Sequence, residues 1–227
     1  MTTPHPHPHP HPPSRIIFLN GFPGVGKLTI ARALQTKLQA LNIPTRLIDN
    51  HVLIDTAQAV IPGRSPDHKA LRSKIRFLVF EALAREFEKM HESQTPTDDE
   101  ATSPGLTVIM TRCLTRTAPD ISVFHETLNL ARVAKVPIFF FNLVCGEEEH
   151  RKRFLDPERV RGGKSKCCRL ERLGEHLSGE RLLRMGDLEG GLGGVVVREW
   201  EVDVGGLCVG ASVGVVLRLV DGPGEEG

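Results

Sequence analysis

Apolar positions along the chain fall into short unbroken runs separated by stretches with helical spacing. Residues Arg15–Asn20 (RIIFLN) form the first run, of the length expected for a buried parallel strand. Beyond a glycine-rich turn, Ile30, Ala31, Ala33, Leu34, Leu38 and Leu41 recur at the spacing of one helix face. Pro44–Asp49 reads as a second strand and closes on the polar cluster Asp49, Asn50 and His51. Helical spacing returns over Ala70–Met90, with Leu71, Ile75, Leu78, Val79, Ala82, Leu83 and Phe87 on one side. Leu106–Met110 is a third strand ending in Thr111-Arg112-Cys113, and a helix follows around Ser122–Lys135. Val136–Val144 (VPIFFFNLV) is the most apolar strand of all. Strands alternating with helices predict a parallel sheet covered on both faces.

The second half of the chain is less regular. Glu147–Phe154 reads as a charged helix, Arg159–Arg169 as a basic segment, and Arg169–Leu183 as a further helix. Arg198–Val204 is the expected fifth strand. Over half of the glycines lie beyond Met185, and they interrupt the run Ala211–Val220 where a closing helix belongs. Residues 91–104 are polar, contain two prolines and read as a solvated insertion. The opening MTTPHPHPHPHPP holds its backbone near polyproline II and has no apolar face to bury, so residues 1–13 read as a disordered tail. Its four histidines are also capable of weak binding to a soft divalent metal. The expected organisation is one domain over residues 14–221, flanked by that tail and by a short one at 222–227.

Candidate chemistry begins in the turn after the first strand. Gly21–Thr29 (GFPGVGKLT) matches G-x-x-x-x-G-K and lacks only the hydroxyl residue directly after the lysine, where Leu28 stands. In such a loop successive backbone N–H groups point inward around a phosphate, and the following helix adds its positive end. Glycines are required because a Cβ would block the conformations and the close approach. Gly21, Phe22, Pro23, Gly24, Val25, Gly26, Lys27, Leu28 and Thr29 are therefore the expected nucleotide-binding residues, with Lys27 reaching the β- and γ-phosphates.

Ligands of open parallel sheets bind at the carboxyl ends of the strands. Two further polar clusters fall there, Asp49-Asn50-His51 and Thr111-Arg112. Phosphoryl transfer asks for positioning, charge neutralisation and a group that takes the acceptor's proton. Asp49 is the candidate base or magnesium–water ligand, with a helix N-cap as the competing reading. Asn50, His51, Thr111 and Arg112 are candidate acceptor contacts, and a packed histidine is the alternative for His51. Arg72 and Arg76, one turn apart, suit either an anionic acceptor or a solvated helix surface. Arg153, Arg159, Arg161, Lys164 and Lys166 suit either a mobile flap over a triphosphate or a solvated charge run.

Charge and composition narrow the classes. The 227 residues carry a formal net charge of +1, which does not suggest a general polyanion binder. The five cysteines are odd in number and irregularly spaced, a pattern of a reducing compartment rather than of a disulfide framework. No apolar stretch approaches the ~20 residues of a membrane span. The expectation is a soluble cytoplasmic protein that engages neither membrane nor nucleic acid. Tyrosine is absent, and no basic stripe or aromatic platform supports strand binding. An Asn-Lys-x-Asp guanine-reading motif is also absent, and the third strand ends without the Asp-Glu of an oligomeric ATPase motor.

Taken in order, NGFPGVGKLT, LIDNHVLID, VIMTRCL, ERVRGGKSK and WEVDV resemble the P-loop kinase-like NTPases. The resemblance is to a group related to the adenylate, shikimate and chloramphenicol kinases, and spans about residues 15–204. It implies a three-layer α/β fold whose five parallel strands lie in the order 2-3-1-4-5. It further implies that Gly21–Thr29 hold ATP, that Asp49 lies on the acceptor side, and that Arg153, Arg159 and Arg161 belong to a lid near residues 155–169. Usual members place Ser or Thr directly after the lysine as a magnesium ligand, which Leu28 cannot be. Thr29 and Asp49 are left as candidate Mg2+ contacts, and weaker metal dependence is expected. A small-molecule kinase is favoured over a nucleotide-binding regulatory module that transfers poorly.

Overall fold

The computed structural model describes residues 12–92, 104–156, 174 and 179–222. The His-Pro run through residue 11, most of the polar insertion and the basic segment with Arg159, Arg161, Lys164 and Lys166 lie outside the described residues. So does most of the expected helix at 169–183.

Five strands, β1 (Arg15–Asn20), β2 (Thr45–Asp49), β3 (Thr107–Thr111), β4 (Ile138–Val144) and β5 (Val197–Asp203), form one sheet in the order β2-β3-β1-β4-β5. Every pairing is parallel, as the alternating pattern and the resemblance require. Helices among the described residues include α1 (Lys27–Ala40), α2 (Asn50–Val60), α3 (Pro66–Glu92), α4 (Ala118–Ala134), α5 (Glu147–Phe154) and α6 (Val209–Asp221).

Strand side chains alternate between two cores, because successive residues of a strand point to opposite faces. Ile16, Phe18, Val108, Met110, Ile138 and Phe140 join Phe80, Leu83 and Phe87 of α3 and Phe124 and Leu128 of α4. Ile17, Leu19, Ile109, Phe139 and Phe141 join Ile30, Leu34 and Leu38 of α1 and Val213, Val216, Leu217 and Val220 of α6. Phe18, Phe124 and Phe140 are fully buried and mutually packed, with ring centroids 5.2–5.6 Å apart.

Several expectations shift against the structure. The polar cluster after β2 opens directly into α2, a helix the sequence reading did not place. Leu41 lies beyond the end of α1 and is exposed. Leu78 is also exposed, because it stands two positions from both Arg76 and Phe80 and so on the far side of α3. The largest correction concerns the glycine-interrupted C-terminal run, which is helical throughout Val209–Asp221. Its valines and leucine recur at 213, 216, 217 and 220, so burial of one stripe outweighs the low helix propensity of Gly210 and Gly214. A Cβ on Gly214 would meet no neighbouring atom within 4 Å.

Two outcomes test this packing. Gly214→Ala is expected to raise unfolding stability by about 0.5–1 kcal/mol, because alanine restricts the unfolded chain and costs no contact. Phe140→Ala is expected to lower it by about 3–5 kcal/mol. Urea denaturation of both variants beside wild type measures each effect.

Candidate functional site

The loop between β1 and α1 owes its shape to glycines and to a brace from α5. Gly21 has φ +152°, and a Cβ there would lie 2.7 Å from the Leu143 carbonyl oxygen. Gly24 has φ +99° and sits against Phe154, where a Cβ would approach within 3.2 Å. His150 Nε2 lies 2.8 Å from the Pro23 carbonyl oxygen. Arg153 donates to the carbonyls of Val25 (3.2 Å), Val204 (2.9 Å) and Gly205 (3.0 Å), and to Glu149 (2.7 Å). Lys27 Nζ donates to the carbonyls of Gly21 (2.6 Å) and Phe22 (2.9 Å), which holds its charge over the loop. The first intrahelical bond of α1 runs from Ile30 N–H to Gly26, so the amides of the first turn precede the helical ladder.

Asp49 ends β2 in register with Thr111 at the end of β3. Its Oδ1 accepts from Thr111 Oγ1 at 2.7 Å and lies 3.3 Å from His51 Nδ1. Oδ2 is buried without a hydrogen-bond partner. Asp49 occupies the N-cap position of α2, but its side chain makes no capping bond. The carboxylate is thus tied across the sheet to Thr111 and to the His51 side chain in the first turn of α2, not by a capping bond. Burial pushes the Asp49 pKa up, yet the bonds from His51 and Thr111 outweigh it and hold the group at about 2. It stays ionised at neutral pH.

Arg112 directly follows β3 and is 5% exposed. Burial and the charges of Arg76 and Arg72, opposed by Glu126 and Asp120, lower its pKa to about 9. Arg76 is committed elsewhere: its Nε and Nη2 both bond the carboxylate of Glu126, the latter at 2.6 Å. Of the two candidate anion contacts on α3, only Arg72 therefore faces the site.

A cavity of about 1270 Å³ brings these groups together. Pro23 through Thr29 line it, as do Asp49, Asn50, His51, Arg72, Thr111, Arg112 and Arg153. Gly21 and Phe22 shape the loop from outside its wall, and Arg159 and Arg161 lie outside the described residues. Several lining residues were missed from sequence. Arg64 comes from the loop before α3, Arg32 from α1, and Thr115 and Asp120 from the segment entering α4. Leu207, Cys208 and Val209 follow β5. The rule that ligands gather at the carboxyl ends of strands, applied to the fifth strand as to the others, points to that last group.

The family model described as chromatin associated protein KTI12 matches residues 15–89, from β1 through most of α3. No curated protein matches the chain in sequence. Three solved structures share its architecture. A candidate kinase from Chloroflexus aurantiacus is 15% identical, with a TM-score of 0.57 over 93% of this chain and 97% of that one. The Mycobacterium tuberculosis APS kinase CysC, in complex with AMPPNP and APS, is 15% identical, with a TM-score of 0.53 over 93% and 99%. A tunicamycin resistance protein from Deinococcus radiodurans is 16% identical, with a TM-score of 0.50 over 91% and 95%. This is the fold of the P-loop kinase-like NTPases.

Within that P-loop kinase-like fold the described residues carry no cluster of three His, Cys, Asp or Glu able to hold a metal by themselves. No helix among them is long and apolar enough to cross a membrane.

The Asp49 linkage has a sign. Its folded pKa lies below the ordinary carboxylate value, so its stabilisation is complete above about pH 4 and is lost as the pH falls toward about 2. The melting temperature of wild type is expected to fall more steeply across that window than that of Asp49→Asn. Calorimetric scans at stepped acid pH check this.

Proposed function

We propose that the protein is an ATP-dependent kinase that transfers the γ-phosphoryl group to a small-molecule acceptor. The observation that carries this reading is the convergence, on one cavity, of the lysine-bearing loop with an ionised aspartate and several arginines. The amides of Gly24–Thr29 and the ammonium of Lys27 suit the β- and γ-phosphates, in exchange for the loop carbonyls that Lys27 now holds. Leu207, Cys208 and Val209, with Arg153, wall the nucleotide side. Asp49, Asn50, His51, Thr111 and Arg112 form the acceptor side.

A group with a pKa of about 2 holds a proton poorly. Asp49 therefore serves by accepting a hydrogen bond from the acceptor hydroxyl and aiming it, in a transfer that depends on positioning more than on basicity. Thr111 and His51 fix that carboxylate. Magnesium fits the site on one feature, the buried Asp49 oxygen that lacks a donor. Asp49 and Thr29 would hold it directly or through its waters, and it would neutralise charge on the phosphates. Leu28 offers no ligand, so the metal would be held less firmly than where a hydroxyl follows the lysine. Arg159 and Arg161 are proposed as lid residues from the resemblance alone. Cys145 and Cys208 are free thiols, which supports a cytoplasmic setting.

A second reading is a nucleotide-binding regulatory module without efficient transfer. Leu28 favours it, as does the match of residues 15–89 to a family described as chromatin associated.

ATP at about 100 times its Kd is expected to raise the melting temperature by about 5–10 °C, from roughly 2.7 kcal/mol of linkage. Lys27→Ala should lose most of that shift, and leaving magnesium out should reduce it less than in a kinase with Ser after the lysine. Transfer of the γ-32P label to pooled metabolites by wild type, at least tenfold reduced in Asp49→Asn, supports the kinase. Stabilisation by ATP without any labelled product supports the regulatory module. A folded wild type indifferent to millimolar ATP and GTP overturns both.

A further inference from the structure

The acceptor end of the cavity holds arginines with no hydrogen-bond or ion-pair partner among the described residues. Arg112 is nine-tenths buried, lines the cavity, and makes no side-chain hydrogen bond or ion pair among the described residues. Arg72, from α3, lines the same wall and is likewise without such a partner, and Arg64 stands at the rim. The carboxylates facing them are already engaged. Glu126 is held by two nitrogens of Arg76. One oxygen of Asp120 accepts from the backbone and hydroxyl of Thr115, at 2.9 and 2.7 Å. A guanidinium taken out of water is costly to fold around unless an anion meets it. Here no described residue bonds it with an anion: Glu126 and Asp120 act on Arg112 only at a distance, and the charges of Arg76 and Arg72 act in the same direction as its burial.

We propose that Arg72 and Arg112, assisted by Arg64, form a receptor for a phosphate group on the acceptor, so that the substrate is a phosphorylated small molecule with a free hydroxyl. This rests on the kinase reading above and names the acceptor class. A phosphate monoester brings about two negative charges at neutral pH, which suits two unmatched guanidiniums with a third at the rim. A carboxylate brings one. Guanidinium forks also match phosphate oxygens two at a time. Arg112 immediately follows Thr111, which bonds Asp49, so an anchored phosphate leaves the rest of a small acceptor beside that carboxylate. In the transfer, the acceptor hydroxyl oxygen bonds to the γ-phosphorus and the bond from that phosphorus to the β-bridging oxygen breaks. The nucleoside diphosphate leaves, and the hydroxyl proton is released to solvent water while Asp49 orients the attacking oxygen.

The test is isothermal titration of the full chain saturated with AMPPNP, so that the glycine loop is filled, using inorganic phosphate, acetate and a 5′-phosphorylated RNA hexamer as probes. Phosphate is expected to bind at least tenfold tighter than acetate and no weaker than the hexamer. Arg112→Gln and Arg72→Gln should each weaken phosphate binding by about tenfold or more while AMPPNP affinity stays within about twofold. Arg72 is only part-buried, so its variant reads the site even where Arg112→Gln fails to fold. No phosphate binding to the saturated protein, unchanged binding in Arg72→Gln, or acetate binding equal to phosphate overturns the proposal. Hexamer binding that is tighter than phosphate overturns the small-molecule class. Loss of AMPPNP binding itself would instead sink the nucleotide reading. Phosphate titrated into nucleotide-free Lys27→Ala, with and without Arg72→Gln, then still reports on the arginines.

Discussion

A backbone turn can aim its amides at an anion only when its carbonyls are satisfied on the other side, and that constraint organises this molecule. Five of the six carbonyl oxygens from Gly21 to Gly26 meet a donor. Lys27 holds those of Gly21 and Phe22, His150 meets Pro23, Arg153 meets Val25, and the first helical bond of α1 takes Gly26. Two of these partners come from α5, an eight-residue helix whose Phe154 also packs on Gly24. The loop is therefore a joint product of its own glycines and of a helix more than a hundred residues later. Arg153 extends the brace to Val204 and Gly205, so the end of β5 is fixed relative to the loop by the same guanidinium.

Parallel pairing does comparable work across the sheet. The register that sets Asp49 opposite Thr111 delivers the hydroxyl to the carboxylate. The register that sets Asn20 opposite Asn142 lets their side chains bond at 2.9 Å, while each also reaches a backbone carbonyl beyond the strands. Polar groups at the carboxyl edge are thus locked by neighbours in adjacent strands, whereas the apolar residues below them anchor the layers. Rigidity at the floor and charge at the rim follow from one alternation of residue types.

Much of this was legible in the chain. The continuous apolar runs gave the strands because a parallel strand is buried on both faces. The glycine loop was readable because its geometry tolerates few substitutes. Asp49, Thr111 and Arg112 could be placed by the rule that strand ends face the ligand. Other features were hidden for physical reasons. The last helix is masked by glycines whose local cost is outweighed only by tertiary burial of Val213, Val216 and Val220. The division of labour between Arg72 and Arg76 depends on Glu126, fifty residues from Arg76, and no local pattern reveals such a pairing. The capping alternative for Asp49 was half right: the position is an N-cap, but the bonds run to Thr111 and His51.

One contact reaches further along the chain than any of these. Arg15, at the start of β1, is buried and donates to Asp221, the last residue of α6, at 2.8 Å, while its Nε bonds Thr107 at 3.3 Å. The head of the innermost strand and the foot of the closing helix are therefore neighbours. A short linker would span them, and the architecture is suited to circular permutation, with new termini opened in a connection distant from the nucleotide loop.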